Sequence, residues 1–314
     1  MPGSMSITRV AVTGGAGRLG QTVVAILANH FEVTVIDKNF AESGGGQSID
    51  VLDSASLARA LIGQDAVVHL AAIDASINAT DRTFFETNTV AAWNVLDTAF
   101  VVGIRRFVVC SSTGVYGFSH NNREWQPNYL PVDEAHPCRP ATAYGMSKQV
   151  TEVIARNFSR RPNMAVTVLR PCFIAFPNLL PQMLAEHEAR GHEEVTKVQT
   201  SAMDWIEPLP IARAWLDPQD AANCFHLALI SLQKGYRVFN VCADDSFVSE
   251  PTLEYLADAL GTLPEQVDEK RFKVRPRASL FDNSCALTEL GWRPKSTWPD
   301  IVKHHQCRIG SGSR

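Results

Sequence analysis

The sequence predicts an α/β fold, a doubly wound parallel sheet with a smaller C-terminal lobe. Three observations predict it. Over the first 175 residues, short β-branched apolar runs alternate with longer segments of helical period, the pattern of a parallel sheet covered by helices on both faces. A glycine-rich turn joins the first apolar run to the first helical segment. Beyond Pro177 the alternation weakens and the loops lengthen.

Residues 8–12 read as the first strand. Residues 17–29 set Leu19, Val23, Val24, Ile26 and Leu27 on one helical stripe, and residues 32–36 form a second short strand. Asp53 is placed to cap a helix that ends near Leu61; residues 66–70 then read as a strand, 84–100 as an amphipathic helix and 107–111 as a strand. Residues 118–140 interrupt this pattern with Pro127, Pro131, Pro137 and Pro140, and a loop of that length in a compact domain is usually functional. A helix beginning at Ala141 carries Tyr144 to Arg156, and residues 165–169 form a strand that ends at Arg170 and Pro171. Helices are readable at 180–189, 220–232 and 253–260, with a strand at 238–241. The expected division is a first domain over residues 1–176 and a lobe over 177–314, some of whose segments return to the first sheet.

Composition removes several classes of function. Of 314 residues 45% are hydrophobic, enough to bury roughly three quarters of the unfolded surface without disulfide staples. Lys and Arg number 29 against 33 Asp and Glu, with no long run of one sign, so neither nucleic acid nor an anionic membrane is an expected partner. The seven cysteines show no CxxC spacing, and neither a disulfide framework nor a metal site is expected. No apolar stretch reaches the ~18 residues of a membrane span and the start lacks a secretory apolar core, so the expected location is the cytoplasm.

The glycine-rich turn is Thr13-Gly14-Gly15-Ala16-Gly17-Arg18-Leu19-Gly20. A glycine permits the tight turn, Gly17 lets the backbone approach a pyrophosphate, Gly20 lets the helix pack on the sheet, and the helix N-terminus offers N–H groups to the anion. A dinucleotide is the expected ligand. Asp37 ends the second strand 23 residues after Gly14. A carboxylate there accepts bonds from the ribose hydroxyls and repels a 2′-phosphate, which favours NAD over NADP, while Arg18 and Lys38 leave room for NADP.

Tyr144 and Lys148 stand four apart on the helix after the long loop, so both project from one face. A free phenol titrates near pH 10, and bringing it two or three units down needs about 3–4 kcal/mol of preferential tyrosinate stabilisation, expected from Lys148 and bound NAD+. Tyr144 then serves as the base that takes a hydroxyl proton while hydride leaves the same carbon. Ser112, at the end of the preceding strand, is placed to hydrogen-bond the substrate oxygen. His120, Trp125, Tyr129 and Trp205 are assigned no role, and His304-His305 near Cys307 is not read as a metal cluster.

Taken together, the glycine turn, Asp37, Ser111-Ser112-Thr113-Gly114-Val115-Tyr116-Gly117 and Tyr144-Gly145-Met146-Ser147-Lys148 resemble the extended short-chain dehydrogenase/reductase family, in its NAD-dependent epimerase/dehydratase group. Asp50-Val51, His69-Leu70-Ala71-Ala72, Asn88 and Arg170-Pro171 add to the resemblance, which spans nearly the whole chain. It implies a Rossmann domain holding NAD and a C-terminal substrate lobe. It also implies a catalytic set of Ser112, Tyr144 and Lys148, and a homodimer through two helices of each subunit. Cofactor contacts are implied at Gly14, Gly17, Arg18, Leu19, Gly20, Asp37, Asp50, Val51, Leu70, Ala71, Ala72, Asn88, Tyr144, Lys148 and Pro171. Substrate contacts are implied at Ser112, Thr113, Arg213 and Arg275.

Departures from the family pattern narrow the chemistry. Thr113-Gly114 stands where the sugar-nucleotide dehydratases carry an Asp-Glu pair, which argues against dehydration. Arg213 and Arg275 fall where nucleotide-sugar epimerases hold a diphosphate, whereas residues 172–177 and Gly117-Phe118 are closer to uronate dehydrogenases. The leading expectation is an epimerase acting on a sugar or nucleotide-sugar. The alternative is a sugar or uronate dehydrogenase that releases NADH, and a third reading is a non-catalytic NAD(H) sensor, for which an activated phenol has no use.

Overall fold

The computed structural model describes residues 7–39, 47–74, 77, 79–118, 126–140, 142–188 and 213–311. His120, Trp125 and Trp205 lie outside them, as does most of 178–210. The chain runs β1 (Arg9–Thr13), α1 (Arg18–Leu27), β2 (Glu32–Asp37), β3 (Gln47–Ser48), α2 (Ser54–Leu61), β4 (Ala66–His69), α3 (Asp81–Val101) and β5 (Arg106–Cys110). A 3-10 turn (Thr113–Tyr116) leads to β6 (Tyr129–Leu130), α4 (Ala143–Ser159), β7 (Ala165–Pro171), β8 (Phe173–Ile174) and α5 (Leu180–Glu188). Then follow β9 (Trp215–Leu216), α6 (Pro218–Ile230), β10 (Gly235–Val241), α7 (Thr252–Leu260), β11 (Gln266–Val267), α8 (Glu269–Val274), α9 (Ser284–Leu290) and α10 (Trp298–Ser311).

Seven strands pair in parallel in the order β10-β7-β5-β4-β1-β2-β3. This is the doubly wound sheet the sequence predicts. Alternate residues of β1 serve opposite faces: Val10 and Val12 pack with Val23 and Leu27 of α1 and with α6, while Ala11 packs with Leu57 of α2, Val95 of α3 and Phe158 of α4. Because both faces are covered, β1, β4, β5 and β7 read as continuous apolar runs rather than as alternating ones. A third cluster, with Trp215, Trp298, Met183 and Phe247 at its heart, forms the core of the C-terminal lobe.

Several boundaries move for local reasons. Asp53 caps α2 as expected, accepting from the backbone N–H groups of Ala55 and Ser56. The third helix starts at Asp81 rather than at residue 84, because Thr80 caps it. The fourth starts at Ala143 rather than at Ala141, because the Thr142 hydroxyl accepts from Gly145 N at 3.0 Å. Arg170 and Pro171 lie inside β7 rather than after it, and β10 begins at Gly235, three residues before the apolar run. The long loop is not structureless: β6 within it pairs with β11, Val132 bridges to Phe281, and the Tyr129 hydroxyl is anchored on Asp133 at 2.5 Å.

Candidate active site

The order of the sheet reverses between β1 and β4, and a parallel sheet opens a crevice at the carboxyl ends of its strands at such a point. The carboxyl ends of β1, β2, β4, β5 and β7 carry Thr13-Gly14, Asp37, His69-Leu70, Cys110 to Ser112 and Pro171.

The floor of the crevice is the glycine turn. Gly14 has φ +73°, and a Cβ there would lie 2.5 Å from the backbone N of Ala71. A Cβ at Gly20 would lie 2.1 Å from the Gly14 carbonyl oxygen, so the start of α1 sits directly on the turn. Gly17 serves as the N-cap of α1 and no side chain caps that helix, which leaves its N-terminal amides as donors for an anion. Asp37 is tied to the same turn: one carboxylate oxygen accepts from Ala16 N at 3.1 Å, the other from Asn39 N at 2.9 Å. This cradle, in which no side chain at Gly14 or Gly20 could stand, fits a dinucleotide pyrophosphate with a ribose beside Asp37.

The other residues expected at the cofactor fall into two groups. Leu70 N bonds the Thr13 carbonyl at 2.9 Å, Ala71 lies against Gly14, and Ala72 is exposed at the rim. Asp50 holds the turn to Leu52 N at 2.9 Å, Val51 packs against the α2–α3 core, Leu19 packs against the opposite core, and Pro171 is buried opposite Val241. Asn88 is already engaged. Its amide accepts from Ile73 N at 2.7 Å and donates to Ile73 O at 3.1 Å and to the Ser147 hydroxyl at 3.0 Å, so it staples the segment after β4 to α3 and α4. Arg18 reaches across the crevice, pairing with Asp74 at 2.9 Å and lying 4.8 Å from the ring centroid of Phe176.

Beside this cradle, α4 meets the end of β5. Tyr144 stands beside Ser112: a Cβ at Gly114 would lie 3.7 Å from the Tyr144 ring and 3.3 Å from the Ser112 hydroxyl oxygen, and Phe84 of α3 packs edge-on against the Tyr144 ring. The Ser112 hydroxyl also accepts from Gly114 N at 3.0 Å, capping the 3-10 turn that begins at Thr113. Lys148, buried, donates to the Cys110 carbonyl at 3.0 Å and stands 5.7 Å from the Tyr144 ring centroid. One turn further on, Glu152 accepts from the Ser111 hydroxyl at 2.6 Å. Two successive turns of α4 are thus fastened to two successive residues at the end of β5, with Tyr144 one turn earlier beside Ser112.

The electrostatics of this group differ from the sequence expectation in one respect. Burial pushes the Tyr144 phenol above its ordinary value, with Cys110 and Asp74 adding to the rise and the Ser112 hydroxyl opposing it. The polypeptide alone therefore does not make Tyr144 acidic: burial dominates, and Lys148, which donates to Cys110 O, is itself drawn below its ordinary value by burial. His69 is pulled down to about 3, by burial first and by Lys148 second, and its Nδ1 lies 2.8 Å from the Thr13 hydroxyl. It is a neutral imidazole, which leaves Lys148 as the cation of the pair.

The two arginines expected at the substrate belong to the second lobe. Arg213 donates to the Tyr255 hydroxyl at 3.0 Å and packs between the rings of Phe247 and Tyr255. Arg275 follows α8, is mostly exposed, and stands 3.9 Å from Asp244. The lobe links them through α7, since Thr252 N bonds the Pro276 carbonyl at 2.7 Å. Among the described residues, no group of three His, Cys, Asp or Glu is arranged to hold a metal.

Sequence reasoning passed over Glu152 and Asp74, and used Arg170 only within the resemblance, with no role assigned. For Glu152 a signal existed, since it continues the four-residue spacing of Tyr144 and Lys148. Asp74 offered none.

A model of the NAD dependent epimerase/dehydratase family matches residues 10–242. The UDP-glucose 4-epimerase of Corynebacterium glutamicum is 28% identical, over 92% of each chain. The L-arabinose 1-dehydrogenase (NAD(P)(+)) of Haloferax volcanii is 30% identical, over 58% of this chain and 74% of that one. Among solved structures, a short-chain dehydrogenase/reductase superfamily protein from Agrobacterium tumefaciens with bound NAD shares the fold, with a TM-score of 0.69 and 24% identity over 98% and 99% of the two chains.

Proposed function

The chain belongs to the NAD-dependent epimerase/dehydratase family, and we propose that within it this protein is an epimerase that oxidises a secondary alcohol of a nucleotide-sugar and reduces the keto sugar again on its other face. The observation that carries this reading is the convergence of Tyr144, Ser112 and buried Lys148, next to a cradle shaped for a dinucleotide. NAD+, when bound, supplies the hydride acceptor and a positive charge near the phenol. Every other task falls to the chain. Gly14, Gly17 and Gly20 admit the pyrophosphate, Asp37 accepts from the ribose, and Asn88 holds the wall formed by Leu70 to Asp74. Tyr144 takes the hydroxyl proton of the sugar and later returns it, Ser112 holds the sugar oxygen in place, and Lys148 stabilises the phenolate. Arg213 and Arg275 receive the diphosphate, Arg275 by turning from its long contact with Asp244.

The full-length likeness to a UDP-glucose 4-epimerase supports a uridine nucleotide-sugar as the substrate class. A second reading, a dehydrogenase of a free sugar, draws on Arg213, which is already engaged with Tyr255, and on the likeness to an arabinose dehydrogenase. The two differ in what happens to the cofactor, because an epimerase regenerates NAD in every cycle. Denaturing the purified protein should release close to one NAD(H) per chain, and UDP-glucose should be converted to its 4-epimer without net NADH. An empty site that binds added NAD reversibly, with NADH accumulating on free sugars, would overturn the epimerase in favour of the dehydrogenase. Tyr144→Phe should lower turnover at least ~100-fold while leaving NAD affinity nearly unchanged; persistent turnover would remove Tyr144 from the chemistry.

We further propose that the protein is a homodimer through α3 and α4. Phe85 and Trp93 on α3 and Met146 and Val153 on α4 are large apolar side chains left exposed at helical spacing. The lobe over residues 177–314 is the substrate side in this reading, with β10 returning to the sheet.

A further inference from the structure

Beneath the site lies a buried ion pair that the mechanism above does not use. Arg170, in β7, is bound in a two-pronged manner by Glu152 of α4, with Nε to Oε1 at 2.8 Å and Nη2 to Oε2 at 2.7 Å. Both residues are buried. Burial draws the Arg170 guanidinium down, but its bonds to Glu152 outweigh this and hold it above its ordinary value, so Arg170 stays charged. A buried ion pair is weak evidence for stability, because desolvation offsets the attraction. Its position in the fold points to something more specific.

The pair grips the segment that carries Ser112 at both ends. On one side the Ser111 hydroxyl donates to Glu152 Oε1 at 2.6 Å. On the other, Arg170 Nη1 donates to the Tyr116 hydroxyl at 2.9 Å, and Tyr116 closes the 3-10 turn that Ser112 caps. The Tyr116 hydroxyl in turn donates to Asn240 Oδ1 at 2.7 Å, which fixes it to β10. Ser112 thus sits in a span of six residues whose two ends are hydrogen-bonded to one buried carboxylate–guanidinium unit.

We propose that Glu152 and Arg170 act together as a positioning unit for the reaction, holding Ser111 and Tyr116 so that the Ser112 hydroxyl stays beside Tyr144. The inference rests on the reading of Tyr144 as the base. It adds residues that touch neither substrate nor cofactor and act through Ser112.

Glu152→Gln leaves a buried guanidinium short of its partner and can fail to fold, so the deciding variant is Ser111→Ala, which cuts one tether and leaves the ion pair intact. Two measurements are made on the NAD-loaded full chain. Amide hydrogen exchange reads the Gly114 amide, which donates to the Ser112 hydroxyl. In Ser111→Ala its protection should fall about tenfold, while amides of β4 and α2 keep theirs. With UDP-glucose as the probe, kcat should fall about tenfold with KM and the Kd for NAD unchanged within about twofold. A merely structural role would lower protection everywhere, or move KM and Kd along with kcat, and either result overturns the proposal. So does unchanged protection at Gly114, or unchanged kcat despite lost protection. Turnover that survives Tyr144→Phe would instead sink the underlying reading, and if the unmodified chain does not convert UDP-glucose, hydrogen exchange alone decides the placement.

Discussion

His69 illustrates how a single buried side chain couples folding to acidity. It is held neutral, with its pKa pulled down from the usual 6.5 to about 3, mainly because burial excludes the charged form. Between those values the unfolded chain binds a proton that the folded chain refuses, so stability contributed by His69 is complete above about pH 6.5 and is lost as pH falls toward 3. The loss is at most about 1.4 kcal/mol per pH unit. Urea midpoints measured from pH 7 to 4 should therefore fall less steeply in His69→Gln than in the unmodified chain; parallel slopes would mean that His69 is not the responsible group. Asp37 gives a second test at this scale. It already accepts from two backbone N–H groups, which fixes its carboxylate at the glycine turn. Asp37→Ala should weaken NAD by about tenfold and narrow the gap to NADP, read by titrating both dinucleotides. The sequence disclosed Asp37 because its place at the end of the second strand is a local property. It did not disclose Asp74, and it marked Arg170 only through a resemblance, because the meaning of both depends on partners from distant elements.

At the scale of elements, α4 is the organising feature. Its four-residue spacing was legible in the sequence for Tyr144 and Lys148, and the helix period alone puts both on one face. Glu152 extends that stripe, but a glutamate in a helix ordinarily belongs to a solvated face, and only the packing of α4 against β5 and β7 shows it to be buried. The opposite side of α4, with the adjoining side of α3, presents Trp93 and Val153 to solvent. Two such faces brought together would bury them, and the consequence is measurable. Trp93→Lys combined with Val153→Glu should shift the protein from dimer to monomer in sedimentation analysis while NAD binding persists; an unchanged mass would place the interface elsewhere. Asn88 shows the same dependence on neighbours: the sequence marked it only through a resemblance, and its role as a staple between Ile73 and Ser147 emerges only when α3 and α4 are side by side.

For the whole molecule, segments from beyond residue 176 complete the first sheet. The edge strand β10 pairs with β7 along its full length, and α6 covers the face of the sheet that β1, β4 and β5 share. A fragment of residues 1–176 would expose that face and leave β7 as an open edge. It should lack a cooperative urea transition, and a sharp two-state melt from the fragment would show that the first segment folds alone. What the sequence by itself determined is whatever a few neighbouring residues can encode: the alternation that makes a parallel sheet, the glycine turn whose φ and close approach exclude side chains, and the one-turn spacing of Tyr144 and Lys148. What only the tertiary structure decided is which charges are buried and what they hold. The Glu152–Arg170 pair, its grip on Ser111 and Tyr116, the neutral state of His69 and the bond from Lys148 to Cys110 join residues 18 to 56 positions apart. Hydrogen bonds and desolvation depend on distance in space, and chain separation says nothing of that until the sheet has brought its strand ends together.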